Sequence, residues 1–361
     1  MLYRLLYSLK DIFCGFNIFR YITVRSLLAA STAFLVVLIF TPLFIRWLKE
    51  CKVGENIRKE YANLYSLQKR KQGIPTMGGV LIVGAITISV LCWADIANRY
   101  ILLILGSTVW LGILGFIDDY IKFVKQRSLG LTPRFKFIGQ VLLGVLLGLF
   151  LVFDPQIERT INFPFFKNLI FNLGYFYLIW AVLVVTASSN AVNLTDGLDG
   201  LAIGSVIVVA FVYAVLSYLA GNVKFSSYLF IPYFPAGGEL AIFCSAIAGA
   251  GLGFLWYNCH PADIFMGDSG SLALGGSLGI AALLIKQELL LILVGGVFVL
   301  ETLSVLLQVI SFKTRGKRLF LMSPLHHHFQ LKGISESKVI IRFWIMAIIF
   351  AMLGLLSLKV R

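Results

Sequence analysis

Long apolar runs recur along this chain, separated by short polar clusters. About 20 consecutive apolar residues let a helix cross a hydrocarbon layer roughly 30 Å thick. Runs of this kind predict helices near 23–45, 77–97, 99–118, 133–153, 174–190, 200–220, 238–256, 268–285, 288–312 and 338–358. The expected fold class is therefore all-α: a polytopic integral membrane protein of about ten transmembrane helices, forming one transmembrane catalytic domain over 1–361. Ahead of the first run, Leu2, Leu5, Leu6, Leu9, Ile12, Phe13 and Phe16 fall at helical spacing, while Arg4, Lys10, Asp11 and Arg20 interrupt the apolar stretch. That pattern predicts an amphipathic helix lying in the interface, not a cleavable signal. Gly249-Ala250-Gly251-Leu252-Gly253 and Gly275-Gly276 are small enough to let helices pack closely.

Composition supports the class and charge adds an orientation. Of 361 residues, 59% are hydrophobic and only 13% charged, and mean hydropathy is +0.91, which excludes an ordinary soluble domain. The net charge of +14 suits anionic substrates and lipid headgroups; nucleic acid is not an expected partner. Arg46, Lys49, Lys52, Arg58, Lys59, Lys69, Arg70, Lys71, Lys122, Lys125, Arg127, Arg134, Lys136, Lys313, Arg315, Lys317, Arg318, Lys332 and Lys338 lie in odd-numbered loops. The even-numbered loops hold only Arg99, Arg159, Lys167, Lys224 and Lys286. Basic residues favour the cytoplasmic side, so the odd loops are read as cytoplasmic. Asp118, Asp119, Asp196, Asp199, Asp263 and Asp268 lie at or beside those same loops. Helices can bring such carboxylates together on one face of the membrane. The five scattered cysteines include no C-x-x-C pair and are read as reduced packing residues.

Five segments carry candidate chemistry. Phe116-Ile117-Asp118-Asp119-Tyr120 closes the third predicted span, where two carboxylates oppose the helix dipole and need a cation or the nearby Lys122 and Lys125 to offset them. Asn190 to Gly200 is read as a short loop rich in Asn, Asp and Gly, suited either to hydrogen bonding a sugar or base edge or to a capped turn. Asn258 to Gly270 enters the eighth span, with Asp268 as a helix cap or a metal ligand and Phe265 as packing or a stacking surface. His326, His327 and His328 follow Pro324-Leu325 and can donate to phosphate oxygens; a zinc site is a poorer fit. His260 is read as structural. Lys69 to Gly79 makes a shaped loop able to aim a lysine at a phosphate.

Together these segments resemble the polyprenyl-phosphate N-acetylhexosamine-1-phosphate transferases, from Gly15-Phe16-Asn17 to Arg342-Phe343-Trp344. Asn193-Leu194-Thr195-Asp196-Gly197-Leu198-Asp199-Gly200 and Pro324-Leu325-His326-His327-His328 are the specific matches, and the triple histidine favours the muramoyl-pentapeptide branch. The resemblance implies UDP-N-acetylmuramoyl-pentapeptide and undecaprenyl phosphate as substrates, lipid I and UMP as products, and Mg2+ as cofactor. It also implies a multi-pass protein of the bacterial inner membrane whose site faces the cytoplasm, acting in the first membrane step of peptidoglycan synthesis; a homodimer is compatible with it. By motif, Asp118, Asp119 and Asp268 become catalytic carboxylates and Mg2+ ligands, with His326 beside them in catalysis. Lys71, Asn190, Asn193, Asp196, Asp199, Asn258 and Phe265 become substrate-binding residues, as do His327 and His328, while Lys122 and Lys136 offset phosphate charge. Gln68, Leu64-Tyr65 and Gln330 depart from the family pattern beside these motifs.

Phosphoryl transfer between two anions needs positioning and charge neutralisation more than covalent chemistry. A lipid phosphate is already largely ionised near neutral pH, so direct attack on the β-phosphorus, with Asp118 or Asp119 assisting deprotonation, is favoured over an acyl-phosphate intermediate. The rival readings are a sibling transferase using UDP-N-acetylglucosamine and an ion-coupled transporter, for which Glu301 is the acid deepest in a predicted span.

Overall fold

The computed structural model describes residues 2–51, 71–124, 130–167 and 169–360. Lys52, Arg58, Lys59, Lys69, Arg70, Lys125 and Arg127, with Leu64, Tyr65 and Gln68, lie outside them. The chain is an all-α polytopic membrane protein. In order it runs α1 (Leu2–Ser8), α2 (Ile22–Glu50), α3 (Gly79–Trp93), α4 (Arg99–Val124), α5 (Pro133–Phe153), α6 (Tyr177–Thr195) and α7 (Leu201–Ala220). It continues with α8 (Val223–Leu229), α9 (Gly237–Asn258), α10 (Gly267–Leu284), α11 (Glu288–Val294), α12 (Gly296–Arg315), α13 (Leu325–Leu331) and α14 (Glu336–Ser357). A two-stranded antiparallel ribbon pairs β1 (Thr160–Asn162) with β2 (Ile170–Asn172) in the loop after α5.

Each predicted apolar run contains helix, but not every helix spans alone. Among the described residues, eight helices are long and apolar enough to cross a bilayer, and α3 is a shorter apolar helix. The ninth predicted run, 288–312, is not continuous: α11 and α12 meet at Gly295, whose backbone N–H still donates to Leu291. Period and composition do not reveal such a break, because glycine inside an apolar stretch also occurs in unbroken membrane helices. The N-terminal amphipathic helix is likewise shorter than expected. Only α1 is α-helical, and Leu9–Asp11 and Cys14–Arg20 follow as 3-10 turns. Ile12 and Phe13 remain exposed there, as an interfacial segment requires.

Helix α10 lies at the centre, with every residue from Ser269 to Leu284 buried. It packs against α4, α6 and α3. Its run of Gly, Ala and Ser lets those neighbours approach, and its polar groups are used internally: Thr108 and Ser277 hydroxyls lie 2.7 Å apart. Outside this centre, α9 packs on α2 and α7. Gly249 permits that contact, since a Cβ there would overlap the Ala30 carbonyl of α2. Three of the cysteines, Cys14, Cys51 and Cys259, are exposed and do not pack; Cys244 is buried.

Gly249→Val is expected to force α2 and α9 apart and to cost about 1–3 kcal/mol of stability. Thermal unfolding in detergent checks this, and an unchanged melting temperature would remove Gly249 from the packing argument.

Candidate active site

Helix α4 runs past Asp118 and Asp119 to Val124, so the two carboxylates sit inside the helix and not at its end. Both are buried, at 2% and 3% exposure. The expected clash with the dipole of their own helix is therefore weaker, and a second helix supplies the compensation. Asp119 accepts backbone N–H bonds from Asp268 at 3.2 Å and Ser269 at 3.0 Å, placing it at the positive N-terminus of α10. Asp118 Oδ1 accepts from the Leu131 N–H at 2.8 Å. Gly115 makes the α4–α10 approach possible, because a Cβ there would overlap the Asp268 carbonyl.

This packing gathers Asp118, Asp119 and Asp268 so that one ligand atom of each lies within 4.8 Å of the others. Two ammonium groups balance them. Lys122 Nζ is 2.6 Å from Asp118 Oδ2, 3.0 Å from Asp268 Oδ2 and 3.5 Å from Asp119 Oδ1. Lys136, at the start of α5, is 2.5 Å from Asp268 Oδ2 and 3.6 Å from Asp118 Oδ2. Three carboxylates against two lysines leave a formal deficit of one positive charge. Hard carboxylate oxygens at this separation fit Mg2+ chemistry, so the trio could hold a divalent cation.

A second cluster forms around Lys71. Its Nζ is 2.6 Å from Asp199 Oδ1 and 2.5 Å from Glu336 Oε1. Asp199 Oδ2 meets His260 Nδ1 at 2.9 Å and accepts from the Ala262 N–H at 3.2 Å, and the Asp199 N–H donates to Glu336 at 3.2 Å. Burial opposes the charged form of Lys71, but the Glu336 and Asp199 carboxylates more than offset it and raise its pKa above the usual lysine value. Asp199, His260 and Glu336 also form a possible metal-ligating group, but here a lysine fills it. Phe265 is beside it, with Lys71 Nζ 5.9 Å from the ring centre. Backbone bonds from Phe265 N–H to Pro75, Gly78 N–H to Phe265 and Gly79 N–H to Met266 tie the Lys71 segment to the loop that leads into Asp268.

The Asn193–Gly200 motif divides between helix and loop. Helix α6 extends to Thr195, so Asn190 and Asn193 occupy its last turns, and only Asp196 to Gly200 form the link to α7. Asn190 Nδ2 donates to Gln140 Oε1 at 2.8 Å, one turn after Lys136 on α5. Asn193 Oδ1 accepts from the Ser271 hydroxyl at 3.2 Å, one turn after Asp268. Gly200 takes φ +76° to turn into α7. Asn258 is buried and engaged at both ends: it accepts from the Gly200 N–H and donates to the Ile264 carbonyl. It braces the two loops against each other.

The three histidines separate in role. His326 is 1% exposed, with Nδ1 3.3 Å from Glu301 Oε1 and its ring against Gly197. His327 Nδ1 lies 3.0 Å from Gln330 Oε1. Burial, reinforced by His326, pushes the His327 pKa down to about 4, so this ring is neutral near pH 7. His328 Nδ1 accepts from the Leu321 N–H at 3.1 Å and supports its own loop. Asp196 stands between Asn193 and Gly197, partly buried.

Sequence reasoning missed Glu336 and the Asp199 partner of His260, which it read as structural. Glu336 is the first residue of a predicted span's helix, where an acid reads as an ordinary N-terminal charge. His260 stands next to Asn258, and only the fold of that loop reveals its Asp199 partner.

Residues 101–286 match the family described as glycosyl transferase family 4. Residues 71–83, spanning Lys71 and Gly79, match phospho-N-acetylmuramoyl-pentapeptide-transferase signature 1. Curated relatives named phospho-N-acetylmuramoyl-pentapeptide-transferase are 51% identical in Oleidesulfovibrio alaskensis, 51% in Desulfotalea psychrophila and 50% in Thermodesulfovibrio yellowstonii, each alignment covering 100% of both chains. The chain belongs to glycosyl transferase family 4, within its phospho-N-acetylmuramoyl-pentapeptide-transferase group.

Proposed function

We propose that this chain transfers phospho-N-acetylmuramoyl-pentapeptide from its UDP carrier to undecaprenyl phosphate, releasing UMP and leaving lipid I in the bilayer. The observation that carries the reading is the buried Asp118–Asp119–Asp268 trio held between Lys122 and Lys136. In this reading a soluble anion and a membrane-embedded anion meet there. In this reading the site faces the cytoplasm of the bacterial inner membrane, and the whole chain is one catalytic domain. The sibling reading with UDP-N-acetylglucosamine has no observation in its favour.

Each group then has a task. Asp118, Asp119 and Asp268 would hold Mg2+, which when bound would neutralise pyrophosphate charge and polarise the phosphorus centre. Lys122 and Lys136 exchange their carboxylate contacts for phosphate oxygens as the substrates enter, reducing the repulsion between two anions. The lipid phosphate attacks the β-phosphorus, the bond to the UMP oxygen breaks, and the electron pair leaves with UMP. Asp118 or Asp119 takes a proton from the lipid phosphate where one remains. Lys71, parked between Asp199 and Glu336, is within reach of a nucleotide phosphate, with Phe265 as a stacking surface for the base. Neutral His327 offers a hydrogen bond and no charge.

The lipid has a matching surface. A cavity of about 210 Å³ opens between α6, α10, α11 and α12, lined among others by Trp180, Leu183, Ala187, Leu291, Phe298 and Leu303. It is largely apolar and runs past the helix break at Gly295. Its lining on α6 ends at Val192, next to Asn193. A prenyl chain lying in it places its phosphate toward the aspartates.

Purified protein with undecaprenyl phosphate and Mg2+ is expected to release UMP from the muramoyl-pentapeptide donor and not from UDP-N-acetylglucosamine; the reverse selectivity would overturn the reading. Asp268→Asn should lower that release on the order of a hundredfold or more while leaving the melting temperature near that of the parent. Ala187→Phe narrows the groove and should raise KM for the lipid acceptor about tenfold with KM for the UDP donor unchanged. Equal effects on both substrates would remove the groove from the acceptor site.

A further inference from the structure

Glu301 lies inside α12, fully buried, one residue before Thr302, which lines the apolar cavity. Among the described residues neither of its carboxylate oxygens has a hydrogen-bond partner. His326 is in the same position: buried, with no hydrogen-bond partner for either ring nitrogen. Two such groups are costly alone in a membrane interior, and each is the other's nearest available complement. His326 Nδ1 and Glu301 Oε1 are 3.3 Å apart, within ion-pair range and short of an aligned hydrogen bond.

The opposite edge of the imidazole matters equally. Its Nε2 abuts Gly197, where a Cβ would collide with it. Gly197 belongs to the Asp196–Gly200 link that carries Asp196 and Asp199. The ring thus spans from a buried acid on α12 to the loop beside the Lys71 cluster. His327 packs edge-on against it, ring centres 4.2 Å apart, and is neutral near pH 7.

We propose that Glu301 is a positioning residue: its carboxylate accepts the Nδ1–H of His326 and so holds the ring, Nε2 edge inward, against Gly197 and the Asp196–Gly200 link. Among the described residues Glu301 is the carboxylate in contact with this ring. The same pairing that fixes tautomer and ring orientation at metal-bound histidines does so here for a ring that braces the link. The effect on turnover rests on the proposed transfer reaction; the Glu301–His326 pairing does not. The pairing also gives the acid deepest in the ninth predicted span a task within the transferase, in place of an ion pathway.

The protein has four histidines, so 15N-histidine labelling gives a spectrum in which His326 is assigned by its loss in His326→Asn. The detergent-solubilised full chain is measured first without substrate. Nδ1 of His326 is expected to carry a proton in the parent protein and in Glu301→Asp. In Glu301→Gln the Nδ1 signal should shift, because a neutral amide replaces the carboxylate acceptor. Turnover of Glu301→Gln should fall about 10- to 100-fold, mainly in kcat, with Glu301→Asp recovering part of it. A parent spectrum with His326 neutral and its proton on Nε2 overturns the proposal without any variant needing to fold. A His326 signal unchanged between parent and Glu301→Gln overturns it as well, whatever the activity. Failure of UMP release by the parent protein would instead count against the transfer reaction, because the spectrum is read without substrate.

Discussion

Everything at the centre of this molecule depends on holding three carboxylates together beside a membrane without their repulsion driving the helices apart. Asp118 and Asp119 are adjacent on α4, and Asp268 opens α10. The attraction that offsets them comes from three directions: Lys122 one turn along α4, Lys136 from α5, and the free N–H groups at the start of α10. None of these is sufficient alone. Two lysines leave one carboxylate uncompensated, and a helix terminus contributes only a partial charge. The residual deficit leaves the trio able to hold a further cation, and in the proposed reaction the lysines that now neutralise it turn toward an anionic substrate.

That arrangement constrains the fold around it. Helix α4 must approach α10 closely enough for Asp119 to reach backbone N–H groups, which requires glycine at 115. Helix α10 must be buried on all sides, so its composition shifts from bulky apolar residues to Gly, Ala and Ser, and its hydroxyls bond internally. Helix α6 must end beside it, which the Asn193–Ser271 bond secures. The Lys71 segment is fastened to the Asp268 loop by three backbone hydrogen bonds, which do not depend on the side chains at those positions.

The placement of helices was legible in the sequence because a bilayer imposes one length and one polarity on every crossing segment. The site's members were legible because acids, histidines and lysines are costly near hydrocarbon and stand out against it. Less legible was where each helix stops. Asp118 and Asp119 mark the polar boundary of α4, but the helix continues to Val124, since hydrogen bonding does not end where hydropathy does. The same error moved Asn190 and Asn193 into a loop. The break at Gly295 left no mark either, because a kinked span and a straight one bury the same residue types.

Partnerships were the least legible layer, and they divide the polar residues into those that can act and those that brace. Asn258 and His328 carry the same motif signal as Asp268 and His326, yet their hydrogen bonds are committed to loop backbone. His326 and Glu301 show the opposite condition: buried, adjacent, and with bonding capacity unspent. A sequence displays residue type, whereas reactivity depends on which donors and acceptors remain open once the chain has folded. Among the described residues, the open nitrogens of His326 lie against Gly197 in the link between α6 and α7, where distant segments of the chain converge.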